Sequence, residues 1–222
     1  MLNIKNELNS FGLKVGVVIA KDIAVKPSPP ELQALLKNLV DKRSIEFFPP
    51  DQLKESVRKL LKTGGFKPTG RNKPASEYLS QAAREGRFPF LNNLVDINNY
   101  ISLLSGYPVT ILDLAATSES VLIRHGNEGE KYIFNQSGQE IDLEGSIIVC
   151  KVDPLPGVPL GSPVKDSMAG KIKDNTTSII GVIYAPHELV SLDPESFAKL
   201  VKTFEELLVT YADAKNTSHL VS

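Results

Sequence analysis

The sequence predicts an α+β fold, and three observations carry that prediction. Apolar residues recur at helical spacing through most of the first half, after one β-type run. From Thr110 the period falls to two. A last helical stretch follows Asp193-Pro194. Helices gathered before strands, instead of alternating with them, argue against a βαβ repeat.

Each element has a local reason. Leu13 to Val25 is β-branched and half-alternating, so it reads as a strand, and Pro27-Ser28-Pro29-Pro30 stops it. Ser28 or Pro30 then opens a helix with Leu32, Leu35, Leu36 and Leu39 on one face. Pro49-Pro50-Asp51 starts a second helix, whose Leu53, Val57, Leu60 and Leu61 share a face and which Gly64-Gly65 ends. Residues 66–74 form a connector rich in Pro, Gly and Lys. Ser76 opens a short helix to Gly86, and Asn92 or Asn93 opens a longer one to Ser105-Gly106. Strands are expected at 109–114, 120–125, 130–135, 146–152 and 178–185, with Asn127-Glu128-Gly129 as a hairpin turn between the second and third. Asp193 is an N-cap acceptor, and Pro194 loses nothing at the first helical position because that N–H has no partner anyway. Phe197, Val201, Phe204, Leu208 and Tyr211 then line the face that would cover the sheet. Residues 1–214 are expected to form one domain, with 215–222 a frayed tail.

Composition excludes several classes. The chain has 222 residues, 41% of them hydrophobic, so a packed core is affordable and disorder is excluded as the main state. With 25 Lys+Arg against 26 Asp+Glu, it lacks the global basic excess of a nucleic-acid coat protein. Its longest apolar stretches, Val15 to Ala20 and Ile179 to Pro186, fall short of the roughly 18 residues that a membrane helix needs. No membrane partner is expected. The N-terminal residues carry no apolar signal segment, which makes the cytoplasm the default location. The lone Cys150 lies in an apolar β-type run and reads as a small buried hydrophobe.

Charge is nevertheless polarised. Residues 54–87 carry nine cations against three acids, whereas 113–153 carry eight acids against three cations. Lys59, Lys62, Lys67, Arg71, Lys73, Arg84 and Arg87 are candidates for tracking RNA phosphates. The same run is also what solvated helix faces look like.

Catalytic motifs are sparse. His125, His187 and His219 have no metal-ligand spacing, and no metal or cofactor is expected. There is no Gly-x-Ser-x-Gly elbow, phosphate-binding loop or dinucleotide fingerprint. Two polar clusters stand out. At about 100° per residue, Asn92, Asp96 and Asn99 gather opposite the Leu94, Ile97, Ile101 and Leu104 arc. A carboxylate between two amides can orient a water or a ligand amine, or it can face solvent. The second cluster runs from Lys165 to Thr177 just before the last strand, where loops on a rigid sheet often present ligand contacts.

Taken in order, three motifs carry a resemblance. They are Lys73-Pro74-x-Ser76-Glu77-x-Leu79; Asn92-x-Leu94-Val95-Asp96-x-x-Asn99-x-x-Ser102-Leu103-x-x-Gly106-x-Pro108-x-x-x-x-Asp113; and Asp166-Ser167-x-x-x-Lys171-Ile172-x-x-x-Thr176. Together they resemble the tRNA-editing domain of the phenylalanyl-tRNA synthetase beta subunit in a stand-alone form, over residues 66–184. The resemblance implies stacked or partly closed β-sheets, helices packed outside, and a pocket between the long helix and the sheet. It implies tRNA or aminoacyl-tRNA as partner, with no DNA expected, and hydrolysis of a mischarged ester by a positioned water. Asp96 and Asp166 become the candidates for holding that water, and Asn92, Asn99, Thr110, Asp113, Ser167, Lys171 and Thr176 the candidate ligand contacts. This sequence departs from the pattern where Thr110 replaces a His, and where the loop from Lys165 to Gly170 offers Asp166 in place of a Glu. A neutral Thr hydroxyl is no base near pH 7. A non-enzymatic module for an amino-acid-like small molecule is the alternative reading, and a protein-contacting scaffold is a third. With no ATP motif, the chain is not expected to charge a tRNA.

Overall fold

A computed structural model describes residues 3–117, 120–153, 155 and 157–222. Its strands are β1 (Asn3–Asn6), β2 (Leu13–Lys21), β3 (Val109–Asp113), β4 (Ser120–His125), β5 (Lys131–Ile133), β6 (Glu140–Asp142), β7 (Ile147–Lys151), β8 (Val158–Gly161), β9 (Ser178–Pro186) and β10 (Asn216–Val221). The helices are α1 (Pro30–Ile45), α2 (Asp51–Leu61), α3 (Ala75–Arg84), α4 (Asn93–Ser105), the single turns α5 (Leu114–Thr117) and α6 (His187–Val190), and α7 (Pro194–Ala212).

Two four-stranded sheets stack. One has the order β1-β4-β7-β8 and the other β10-β2-β9-β3, and β5-β6 is a separate ribbon. All pairings are antiparallel except β1 with β4. The period of two decides which residues meet between the sheets. Leu13, Val15 and Val17 of β2 and Ile180, Val182 and Tyr184 of β9 point one way, onto Val121, Ile123, Ile147 and Val149 of the facing sheet. The alternate residues, Val18, Ala20, Ile179 and Ile183, point the other way onto Leu94, Ile97 and Ile101 of α4 and Phe197, Val201, Phe204 and Leu208 of α7. The fold is therefore α+β with layered sheets and helices outside. The β5-β6 ribbon and Phe66 cover the far face of the first sheet, over Leu122, Ile148 and Cys150.

α7 lies unusually close to β2 and β9, and glycine permits it. A Cβ at Gly16 would stand 2.3 Å from Val201, and one at Gly181 would stand 2.5 Å from Phe204. Cys150 is fully buried, and burial pushes its thiol up to about 12, as a packed hydrophobe should behave.

Three expectations need correction. Asn127-Glu128-Gly129 does turn the chain, but β4 pairs with β1 and β7 while β5 pairs with β6, so it joins no hairpin. Residues 215–222 do not fray: Asn216–Val221 adds β10 to the edge of β2, and His219 Nδ1 lies 2.5 Å from Glu205 of α7. The first strand ends at Lys21, where Asp22 takes a positive φ of 56°, instead of running to Val25.

Candidate functional site

α4 is built to show two faces. Asn92 caps its start, accepting from Val95 N at 3.0 Å, and Gly106 ends it in the left-handed region at φ 79°. The Leu94, Ile97 and Ile101 side enters the core. The opposite side, with Asn92, Val95, Asn98 and Asn99, walls a cavity of about 870 Å³. Tyr78 and Leu79 of α3, Val109 and Ile111 of β3, Phe134 and Asn135, and the loop residues Val164, Lys165, Asp166, Lys171 and Ile172 complete much of the wall. The volume lies within the range of small-molecule sites, and apolar side chains share the wall with five cations, Asp166 and several asparagines.

Asp166 is the carboxylate of this cavity. The loop carrying it is tied down by Ser162, whose Oγ donates to Lys165 O at 2.8 Å, and by Ser167 N, which donates to Leu160 O at 2.9 Å. Asp166 Oδ1 takes Thr110 Oγ1 at 3.1 Å and Ser162 N at 3.3 Å. Thr110 in turn receives the Tyr184 hydroxyl at 3.1 Å. Gly161 makes room for this arrangement, since a Cβ there would lie 2.8 Å from Asp166 Oδ1. Burial pushes the Asp166 carboxyl up to about 7, while the Ser162 N–H, the Thr110 hydroxyl and the Lys171 charge pull it back. Among the described residues both donors to this carboxyl fall on Oδ1, which leaves Oδ2 without a hydrogen-bond partner there.

The cations divide. Arg71, Lys73, Arg87, Lys165 and Lys171 line the cavity. Lys171 Nζ is anchored on Phe134 O at 2.6 Å, and Lys165 Nζ sits 4.1 Å above the Phe134 ring. Burial and the charge of Arg71 lower the Lys165 pKa. A neighbouring groove of about 440 Å³ is lined by Lys54, Arg58, Lys73 and Arg84, and it shares Gly70 and Lys73 with the cavity. Arg58 is neutralised there by a two-pronged pair with Glu77 at 2.6 Å. Lys59 pairs with Glu188 at 3.2 Å, and Lys59, Lys62 and Lys67 line neither hollow.

Of the residues expected from sequence, Asn92, Asn99, Asp166 and Lys171 come together in the cavity. Asp96 does not. Ser28 Oγ donates to its Oδ2 at 2.6 Å and Leu91 N to its Oδ1 at 2.9 Å, in a separate cleft, so this carboxylate fastens the segment before α1 to α4. Thr110 is fully buried and touches the site through Asp166. Asp113 and Thr176 serve the scaffold: Thr176 Oγ1 donates to Asp113 Oδ2 at 2.8 Å, closing the loop against the end of β3. Ser167 Oγ accepts from Ala169 N at 3.2 Å within a turn. Asn98 and Phe134 escaped the sequence reading, which placed Lys165 in the polar loop without naming it a ligand contact. On the helical wheel Asn98 stands about 120° from Asn92, beyond the arc that Asp96 had suggested.

The fold and site define a class, an α+β domain whose cavity holds one carboxylate among several cations. Residues 66–190 match the B3/4 domain family, more than half of the chain, and the chain belongs to that family. Among curated proteins it is similar to the phenylalanine–tRNA ligase beta subunit of Aquifex aeolicus (strain VF5), 33% identical over 90 residues, covering 40% of this chain and 11% of that one. The same subunit from Streptococcus thermophilus (strain CNRZ 1066) is 30% identical over 108 residues, 48% of this chain and 13% of that one. That from Vibrio parahaemolyticus serotype O3:K6 is 24% identical over 142 residues, 64% and 16% of the two chains. The chain thus spans only 11% to 16% of the length of these relatives. Among solved structures, an N-terminal fragment of the phenylalanyl-tRNA synthetase beta subunit from Pyrococcus horikoshii aligns with a TM-score of 0.43 at 10% identity, over 95% of this chain and 48% of that one. No helix among the described residues is long and apolar enough to cross a membrane.

Proposed function

We propose that this domain binds the 3′ end of an aminoacyl-tRNA, seats the aminoacyl group in the cavity, and hydrolyses its ester with a water oriented by Asp166. The observation that carries this reading is Asp166, whose Oδ2 has no hydrogen-bond partner among the described residues, in the wall of a cavity lined also by five cations. The cations suit a ligand attached to phosphates, and the groove that shares Lys73 extends the track away from the cavity. The relatives are subunits of tRNA ligases, which agrees with that partner.

The chemistry asks little of the protein. Water adds to the ester carbonyl while Asp166 takes its proton; the bond between the carbonyl carbon and the ribose oxygen then breaks, Asp166 returns that proton to the ribose oxygen, and the amino acid is released. A base is most effective when its pKa lies near the working pH, and a carboxyl pushed up to about 7 meets that condition. Thr110 holds Oδ1, so that Oδ2 is the oxygen that faces the water. Incubation with a panel of mischarged tRNAs tests the proposal. Wild type is expected to deacylate at least one of them, with a rate rising through pH 7, and Asp166→Asn to be at least about a hundredfold slower. No deacylation above blank would remove the hydrolase.

One observation favours a second reading, retention without turnover. Asp96 is turned into another cleft, so among the described residues the cavity has no second carboxyl to protonate a leaving group. A binding module for an amino-acid-like molecule would show a melting temperature raised by that molecule, without any loss of ester.

A further inference from the structure

We propose that Asn98 is the amine-recognising residue of this cavity: its side-chain oxygen receives an N–H of a free α-ammonium group, so that the site takes ligands with an unblocked amine over their N-acylated counterparts. The inference rests on the aminoacyl reading above and adds a selectivity to it.

Asn98 lines the cavity from α4, yet only 8% of it is exposed. Its Nδ2 donates to Val109 O at 3.4 Å. Its Oδ1 is buried and has no hydrogen-bond partner among the described residues. The opposite orientation of the amide would set two acceptors against each other at Val109, so the oxygen is the atom left over. Folded proteins leave few buried polar atoms unpaired, so one on a residue that lines a cavity calls for a donor. Ser76 Oγ and Ser222 Oγ are also unpaired, but neither residue lines this cavity.

The surroundings choose the donor. The amide oxygen can only accept, so a carboxylate, phosphate or carbonyl cannot satisfy it. Asp166 lines the same cavity and attracts a positive group, against the five cations that also line it. A primary ammonium brings charge and three N–H donors, whereas a hydroxyl brings one donor and no charge. Val95, Val109 and Ile111 offer apolar surface to the rest of an amino acid. Acylation of the amine removes its charge and two of its three protons, which is the difference the site would read.

The test uses the twenty 3′-aminoacylamino-3′-deoxyadenosines, in which an amide replaces the ester, and their N-acetyl twins, titrated calorimetrically at pH 7, where most of the free amines carry their proton. The best free-amine compound is expected to bind at least about tenfold tighter than its twin. Asn98→Leu should collapse that ratio toward one, and so should Asn98→Ala, which removes the oxygen without adding bulk. If the leucine variant does not fold, the alanine variant decides, and an unchanged ratio there overturns the proposal. Equal affinity of wild type for free and acetylated compounds overturns the amine assignment alone. Binding of none of them overturns the assignment together with the aminoacyl reading.

Discussion

Asp166 illustrates how a loop fixes the charge state of one group. Ser162 N and Thr110 Oγ1 support its ionised form, but burial outweighs them, and the carboxyl is pushed up to about 7 from the usual value of about 3.9. Between those two pH values the folded chain holds a proton that the unfolded chain has released. Stability contributed by this group is therefore full below about pH 4 and is lost as pH rises through about 7. Asn at this position does not titrate. The melting temperature of Asp166→Asn relative to wild type should thus climb from pH 4 to pH 7 and level off above it, and a gap that stays constant over that window would refute the assignment. The sequence displayed Asp166 as a loop carboxylate before a strand, and the structure places it between β8 and β9, in the wall of the cavity. The sequence reading misplaced Asp96, whose partners are Leu91 N just before α4 and Ser28 in the distant segment before α1, and it passed over Asn98, whose Oδ1 has no hydrogen-bond partner among the described residues.

At the scale of elements, legibility followed burial. Strands such as β2, β7 and β9 are apolar enough to announce themselves, and α4 and α7 carry caps that the sequence displays, Asn92 and Asp193. The strands that escaped have weaker patterns. β8 contains Pro159, tolerated because β8 is an edge with no neighbour beyond it. β10 is mostly exposed and gains its order from pairing with β2, a partner nearly the whole chain away. The close approach of α7 to the sheet gives a sharper check. A methyl at position 181 would fall 2.5 Å and 2.6 Å from ring atoms of Phe204, which is itself fully buried and has no free side to retreat to. Gly181→Ala should destabilise the domain by about 1–3 kcal/mol in urea unfolding. Combining it with Phe204→Leu should cost less than the two changes summed, because the smaller side chain vacates the space the methyl needs. Strict additivity would show that α7 does not rest on Gly181.

For the whole molecule, a formal net charge of -1 conceals a directional surface. The basic stretch does not act as one patch once folded. Arg58 is matched by Glu77 and Lys59 by Glu188, while Arg71 and Lys73 line the cavity and Lys73 also lines the adjoining groove. Phosphate binding should therefore depend on position and not on the count of cations. Each phosphate neutralised by a contact on a single strand adds about 0.7 to the slope of log affinity against log salt. Uncharged tRNA titrated over a range of salt concentrations should give a negative slope for wild type. Replacing Arg71 and Lys73 together by Gln should flatten it by about 1.4 if both meet phosphates. Lys59→Gln removes the same unit of charge from the same stretch of sequence, yet its side chain lines neither hollow and already faces Glu188. Its slope should match wild type. A slope that falls equally for Lys59→Gln and for either cavity residue would mean that tRNA senses only total charge, and the path from groove to cavity would have no part in binding.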